Sequence, residues 1–212
     1  MTELIKRTIT SILLLTLLII AVNNIYVLFL LLVLFLYEIF FEFFLLLKKI
    51  LRKYNKFYIY ILSFHILIYF TFLVLKIFNI FFYNIQEQII FFYLIVTICV
   101  STDIGGYVFG KILKGKKLTK ISPNKTYSGL IGSYLFSLIV SVSLFYNNFK
   151  IGEIIIFTFI ISTISQLGDL FISFLKRKAK LKDTGISFPG HGGLLDRFDG
   201  LIFAIPLGLA IL

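Results

Sequence analysis

The chain has 212 residues, 59% of them hydrophobic and 15% charged, with a mean hydropathy of +1.02. A soluble domain carries about 25% charged residues, so a soluble fold is excluded, and the single Cys99 excludes a disulfide framework or a thiolate metal site. The formal charge of +11 would suit nucleic acid, but where the charges sit argues for topology instead.

Apolar runs near residues 8–22, 25–47, 57–76, 88–109, 129–146, 151–175 and 199–212 approach the length of a membrane-crossing helix. They predict an all-α, polytopic integral membrane protein of about seven transmembrane helices with cytoplasm-facing active-site loops. The first run follows Lys6 and Arg7 like a signal-peptide core. No small-residue cleavage site comes after it, which favours a retained helix. The last run is short unless its helix begins near Gly193, which would place Asp196 and Asp199 in its first turns. With the N-terminus inside, only Lys76 and Lys150 of the 21 Lys and Arg residues fall on the outer side. That asymmetry obeys the positive-inside rule, and no nucleic-acid partner is expected.

Residues 1–100 read as N-terminal transmembrane helices whose aromatic side chains pack or face lipid. Glu38 and Glu42, four apart on one helix face, read chiefly as interfacial ion-pair partners of Lys48 and Lys49. His65 reads as a hydrogen-bonded packing residue. Residues 101–212 form the catalytic transmembrane region, where polar residues concentrate in three places. Ser101–Lys111 contains Asp103 and the pair Gly106 and Gly110, a spacing that lets a second helix come close. Ile121–Gly129 contains a Ser-Pro-Asn turn, Lys125, and the hydroxyls of Ser122, Thr126 and Ser128. The third segment starts at Gln166, and Gln166, Asp169, Ser173 and Lys176 recur at three- and four-residue intervals along one helix face. It continues through a loop in which Gly185, Gly190, Gly192 and Gly193 surround Pro189 and His191, a composition suited to cradling an anion on backbone N–H groups. Asp196, Arg197 and Asp199 close it.

Carboxylates without cysteine suit a hard cation, Mg2+ above all, shared with substrate phosphates. The surplus of Lys and Arg around Asp169 and Asp196 suits phosphoryl or nucleotidyl transfer, in which positioning and charge stabilisation do most of the work. A transporter using intramembrane carboxylates is the rival reading, but it gives the Gly/His/basic loop no task.

The 27 residues from Ser173 to Asp199 resemble the signature of the CTP:phosphatidate cytidylyltransferases, the CDP-diacylglycerol synthases. Ser173, Lys176, Arg177, Lys182, Asp183, Gly185, Phe188, Pro189, His191, Gly192, Gly193, Asp196, Arg197 and Asp199 fall in register without insertion. Asp103 with Gly106, Tyr107 and Gly110, the Ser122–Thr126 turn, and Gln166, Gly168 and Asp169 are similar to further family features. Ser128 stands where the family usually has Glu, and Gly200 where Ser often follows. Members are commonly longer, so the N-terminal helices look trimmed.

The resemblance implies transfer of a cytidylyl group from CTP to phosphatidate, giving CDP-diacylglycerol and pyrophosphate, in the phospholipid biosynthesis of a bacterial cytoplasmic membrane. It implies Asp169 and Asp196 as carboxylates sharing Mg2+, with Asp183 and Asp199 as candidates for a second cation or for orienting the basic residues. Lys125, Ser173, Lys176, Arg177, Lys182, His191 and Arg197 would bind substrate phosphates, His191 by positioning rather than as a base. A homodimer is also implied. A CTP-dependent lipid-alcohol kinase and a transporter or inactive relative stand as alternatives.

Overall fold

The computed structural model describes residues 16–17, 19–185 and 192–211. Its helices are α1 (Ile25–Ile50), α2 (Lys56–Phe82), α3 (Gln86–Leu113), α4 (Tyr127–Phe145), α5 (Ile151–Lys178), α6 (Leu195–Phe198) and α7 (Leu201–Gly208). Among the described residues α1 to α5 are long and apolar enough to cross a membrane. The chain is an all-α, polytopic membrane protein. The expected first span lies largely outside the described residues. The expected seventh is corrected: no single helix carries Asp196 and Asp199. Asp196 lies in the one-turn α6, and the Asp199–Gly200 turn separates it from the eight-residue α7.

Local chemistry sets the boundaries. Asn24 caps α1 by accepting hydrogen bonds from the Tyr26 and Val27 amides, while Lys48 and Lys49 in its last turn complement the helix dipole. Asn55 caps α2 through the Phe57 amide, and Thr126 caps α4 through the Gly129 amide at 3.1 Å. α5 ends in a Schellman motif: the Leu181 amide donates to Lys176 O, the Lys180 amide to Arg177 O, and Lys180 takes the left-handed φ of 57°. The helix ends three residues beyond the apolar run expected to end at 175.

The described chain forms two compact units. One holds residues up to Ile85 with Leu175–Arg197; the other holds Gln86–Phe174 with Phe198–Leu212. In the first, α1 packs on α2 through Ile39, Phe43, Leu46, Phe70, Leu73 and Ile77, with the Phe43 and Phe70 rings 6.2 Å apart. In the second, α3 and α4 meet through glycines, as the spacing of Gly106 and Gly110 predicts. A Cβ on Gly106 would lie 2.7 Å from Ser133 Oγ, and one on Gly129 would lie 2.8 Å from Gly106 O. Lipid offers apolar side chains no gain on leaving it, so close backbone approach and interhelical hydrogen bonds carry the association. The hydrogen bonds tie α5 to both helices: Thr102 of α3 to Ser162 at 3.0 Å, and Ser141 and Tyr134 of α4 to Thr158 and Thr163, each at 2.8 Å.

Candidate active site

The second unit assembles one group of chemical side chains. The segment before α4 folds back on itself: the Leu118 amide donates to Lys125 O at 2.8 Å, and the Tyr127 amide to Lys116 O at 3.1 Å. This turn holds Lys125 just ahead of α4, where its Nζ lies 2.5 Å from Asp169 Oδ2. Ser128, where the family usually has Glu, donates to Lys114 O and lies 3.0 Å from Thr126 Oγ1, so it fastens the same turn.

On α5, Ser173 donates to Asp169 Oδ1 at 3.3 Å, so the serine's partner in this structure is the carboxylate. Asp199 is within hydrogen-bonding reach of Asp169 and within electrostatic reach of Asp103, which also feels Lys125. Gly168 makes this possible, because a Cβ there would meet Asp199 O at 2.8 Å. Gly200 fits the same way: a side chain would drive into Ser165, which leaves no room for the family's serine. Gln166 turns to Ser162 at 3.2 Å rather than to the carboxylates.

The first unit assembles the other group. Lys176 Nζ lies 2.7 Å from Asp196 Oδ1, and the two side chains are only 13% and 11% exposed. Asp196 Oδ2 accepts from the Thr184 amide at 2.8 Å and the Gly193 amide at 3.4 Å. Thr184 Oγ1 has one proton to share between Asp196 Oδ2, at 3.1 Å, and Glu42 Oε2, at 2.6 Å. The shorter contact takes it.

Glu42 was the residue the sequence undervalued. It is 2% exposed, and besides Thr184 it accepts from the Leu194 and Leu195 amides, each at 2.9 Å. These amides lead into α6 and have no partner within the helix. The expected pairing of Glu42 with Lys48 and Lys49 is therefore corrected. The carboxylate faces Thr184, Leu194 and Leu195, and Gly185 and Gly193 come close to it. A Cβ on Gly185 would lie 2.6 Å from Glu42 Oε1, and one on Gly193 would collide with Thr184. An acid within an apolar helix signals a buried partner; that signal was present at Glu42, but nothing in the sequence named residues 184, 194 and 195.

Arg177 Nη1 donates to Leu181 O at 3.4 Å, and Lys182, Asp183 and Arg197 are exposed. His191 lies outside the described residues, as do Phe188 and Pro189. His65 makes the expected hydrogen bond, to Ile61 O at 2.8 Å, but on an exposed face of α2 rather than in a packed core.

No three His, Cys, Asp or Glu side chains among the described residues converge closely enough to enclose a metal ion by themselves. The donor set nonetheless fits Mg2+, which commonly takes one or two carboxylates and completes its shell with water and substrate phosphate. The adjacent Asp169 and Asp199 carboxylates, with Asp103 in electrostatic reach, repel unless a cation or a proton lies between them.

These residues come from well-separated parts of the chain. The cytidylyltransferase family model matches residues 2–212. The chain belongs to the cytidylyltransferase family. A phosphatidate cytidylyltransferase of Staphylococcus haemolyticus is 47% identical over 110 residues, 50% of this chain and 42% of that protein. One from Staphylococcus aureus is 43% identical over 135 residues, 60% of this chain and 51% of that protein. One from Staphylococcus saprophyticus is 44% identical over 125 residues, 57% of this chain and 47% of that protein. The chain spans about half the length of the curated relatives it matches.

Proposed function

We propose that the protein transfers a cytidylyl group from CTP to phosphatidate, giving CDP-diacylglycerol and pyrophosphate. The observation that carries this reading is the cluster of Lys125, Asp169 and Asp199. Three segments far apart in sequence, each with a family motif, bring a lysine and two carboxylates together. The relatives' printed names supply the substrates.

In this reading a phosphate oxygen of phosphatidate attacks the α-phosphorus of CTP, the bond to the β-phosphate oxygen breaks, and pyrophosphate leaves. The nucleophile is already ionised at neutral pH, so no strong general base is required of His191. Lys125, Lys176, Arg177, Lys182 and Arg197 supply cations for the phosphate oxygens, and charge stabilisation of this kind carries most of phosphoryl-group catalysis. Asp169 and Asp196 are the proposed Mg2+ carboxylates, with Asp183 and Asp199 candidates for a second ion. When bound, the ion would offset charge gathering on the phosphate oxygens. The cytoplasmic orientation of the loops, the bacterial cytoplasmic membrane and a homodimer belong to the same proposal.

The test uses purified full-length protein in detergent with phosphatidate, Mg2+ and CTP labelled at either the α- or the γ-phosphorus. Label from the α-position should appear in lipid as pyrophosphate is released. Transfer of γ-label to lipid with release of CDP would establish the kinase alternative, and no transfer by well-folded protein in several detergents would overturn both.

A further inference from the structure

The turn between α1 and α2 lines a pocket of about 270 Å³ in the first unit, and no residue assigned to the transfer reaction is in its lining. Phe44 and Lys48 reach it from successive turns of α1, and Arg52 and Tyr54 from the connection. Lys56, Ile59 and Tyr60 reach it from the first turns of α2. Three lining residues are cationic and none is acidic. Among the described residues none of Lys48, Arg52 and Lys56 pairs with a carboxylate.

The apolar part of the wall is Phe44 and the buried Ile59, while Tyr54 and Tyr60 are each 64% exposed. The pocket thus has an apolar floor, a rim of phenol hydroxyls and three uncompensated cations. It sits at the ends of two helices apolar enough to cross a membrane. Phe41 and Leu45, which flank Phe44 in sequence on α1, are exposed apolar side chains. Basic pockets between transmembrane helices at the membrane surface suit phospholipid headgroups. The volume falls just below the roughly 300 Å³ at which drug-sized sites begin, a size for a headgroup rather than a nucleotide.

We propose that this pocket binds the phosphate of one anionic phospholipid, held by Lys48, Arg52 and Lys56, with the lipid chains lying along α1. No carboxylate lines it to share a divalent cation, so the lipid is held there and not converted. The site is independent of the proposed transfer reaction.

Native mass spectrometry of the full chain in detergent, titrated with phosphatidylglycerol, tests this. Its phosphate is already a diester, so it cannot serve as the attacking phosphate of the transfer reaction. Lys48→Gln/Arg52→Gln removes two pocket cations. Lys49→Gln/Lys53→Gln removes the same charge from the same segment outside the pocket. At about 1 kcal/mol per cation, the pocket pair should bind roughly thirtyfold more weakly. The outer pair should change less than about twofold, and Arg52→Lys should retain binding.

Equal weakening by both pairs would reduce the effect to general attraction and overturn the site, as would no weakening by either. Soluble glycerol phosphate is the second probe. Little competition is expected; competition at concentrations comparable to the lipid would overturn a lipid as the occupant. Binding is read without turnover, so failure here and failure of the transfer reaction are separate results.

Discussion

Glu42 offers the sharpest test of how the signature loop is held. Glu42→Ala removes an acceptor that satisfies the Leu194 and Leu195 amides and the Thr184 hydroxyl at 2.6–2.9 Å, in a site 2% exposed. Orphaning a buried donor costs about 1–3 kcal/mol. The threonine can turn to Asp196 Oδ2, already 3.1 Å away, which leaves the two amides as the main loss. At about 1.5 kcal/mol for each of the two amides, in the lower half of that range, the expected destabilisation of the loop is about 3 kcal/mol. If the loop opens locally rather than with the whole protein, exchange of the 194 and 195 amides should quicken on the order of a hundredfold. Hydrogen exchange read by mass spectrometry on detergent-solubilised protein measures this, with α3–α4 peptides as the internal control. Glu42→Gln, which keeps one acceptor oxygen and turns an NH2 toward the remaining donors, should fall between wild type and Glu42→Ala. Unchanged exchange at 194 and 195 in Glu42→Ala would refute the tether.

Asp196→Asn should cost about 3–5 kcal/mol by leaving Lys176 nearly buried without its counter-charge. Lys176→Met added to it should restore much of the thermal stability but none of the turnover, whereas continued instability would mean that the ion pair is not the source. Gly105→Ala places a methyl 2.6 Å from Gly132 O and 2.8 Å from Phe136 Cβ. Overpacking should therefore lower stability by about 1–3 kcal/mol, and an unchanged melting temperature would contradict the close α3–α4 contact. A chelator should abolish turnover, with recovery on adding Mg2+, and leave helicity and melting temperature unchanged, because no described cluster encloses a metal by itself. Unfolding on chelation would contradict that reading.

What the sequence disclosed, and what it withheld, divides along one physical line. Membrane helices announce themselves through length and hydropathy, and α1 to α5 lie close to the runs expected. The glycine spacing in α3 marked a close helix contact, and the three- and four-residue intervals of α5 brought Ser173 against Asp169. These are local patterns, repeated within one helix turn. The break between α6 and α7 follows instead from packing: the Asp199–Gly200 turn fits against Gly168 and Ser165. An apolar run that continues to the end of the chain carries no sign of that fit. The tether from Glu42 spans about 150 residues of sequence, and only a folded chain can reveal which amides an intramembrane carboxylate serves.

The two lysine–aspartate pairs also have different standing. Asp196 has both oxygens occupied: Lys176 takes one, and the Thr184 and Gly193 amides converge on the other. Its ionised form is already compensated by the loop it organises. Asp169 has Lys125 on one oxygen, a serine hydroxyl on the other, and a second carboxylate, Asp199, beside it. With Asp199 beside it, Asp169 requires a shared proton or a cation between the two carboxylates, whereas Asp196 is already matched by Lys176 and the Thr184 and Gly193 amides. Asp196 thus carries two loads in the proposed reaction, metal carboxylate and loop anchor, and the anchor is shared with Glu42 through Thr184. Residue 42 lies in the N-terminal half of the chain, where the sequence suggested an interfacial ion pair with Lys48 and Lys49. Its hydrogen bonds make α1 part of what fixes residues 184, 194 and 195.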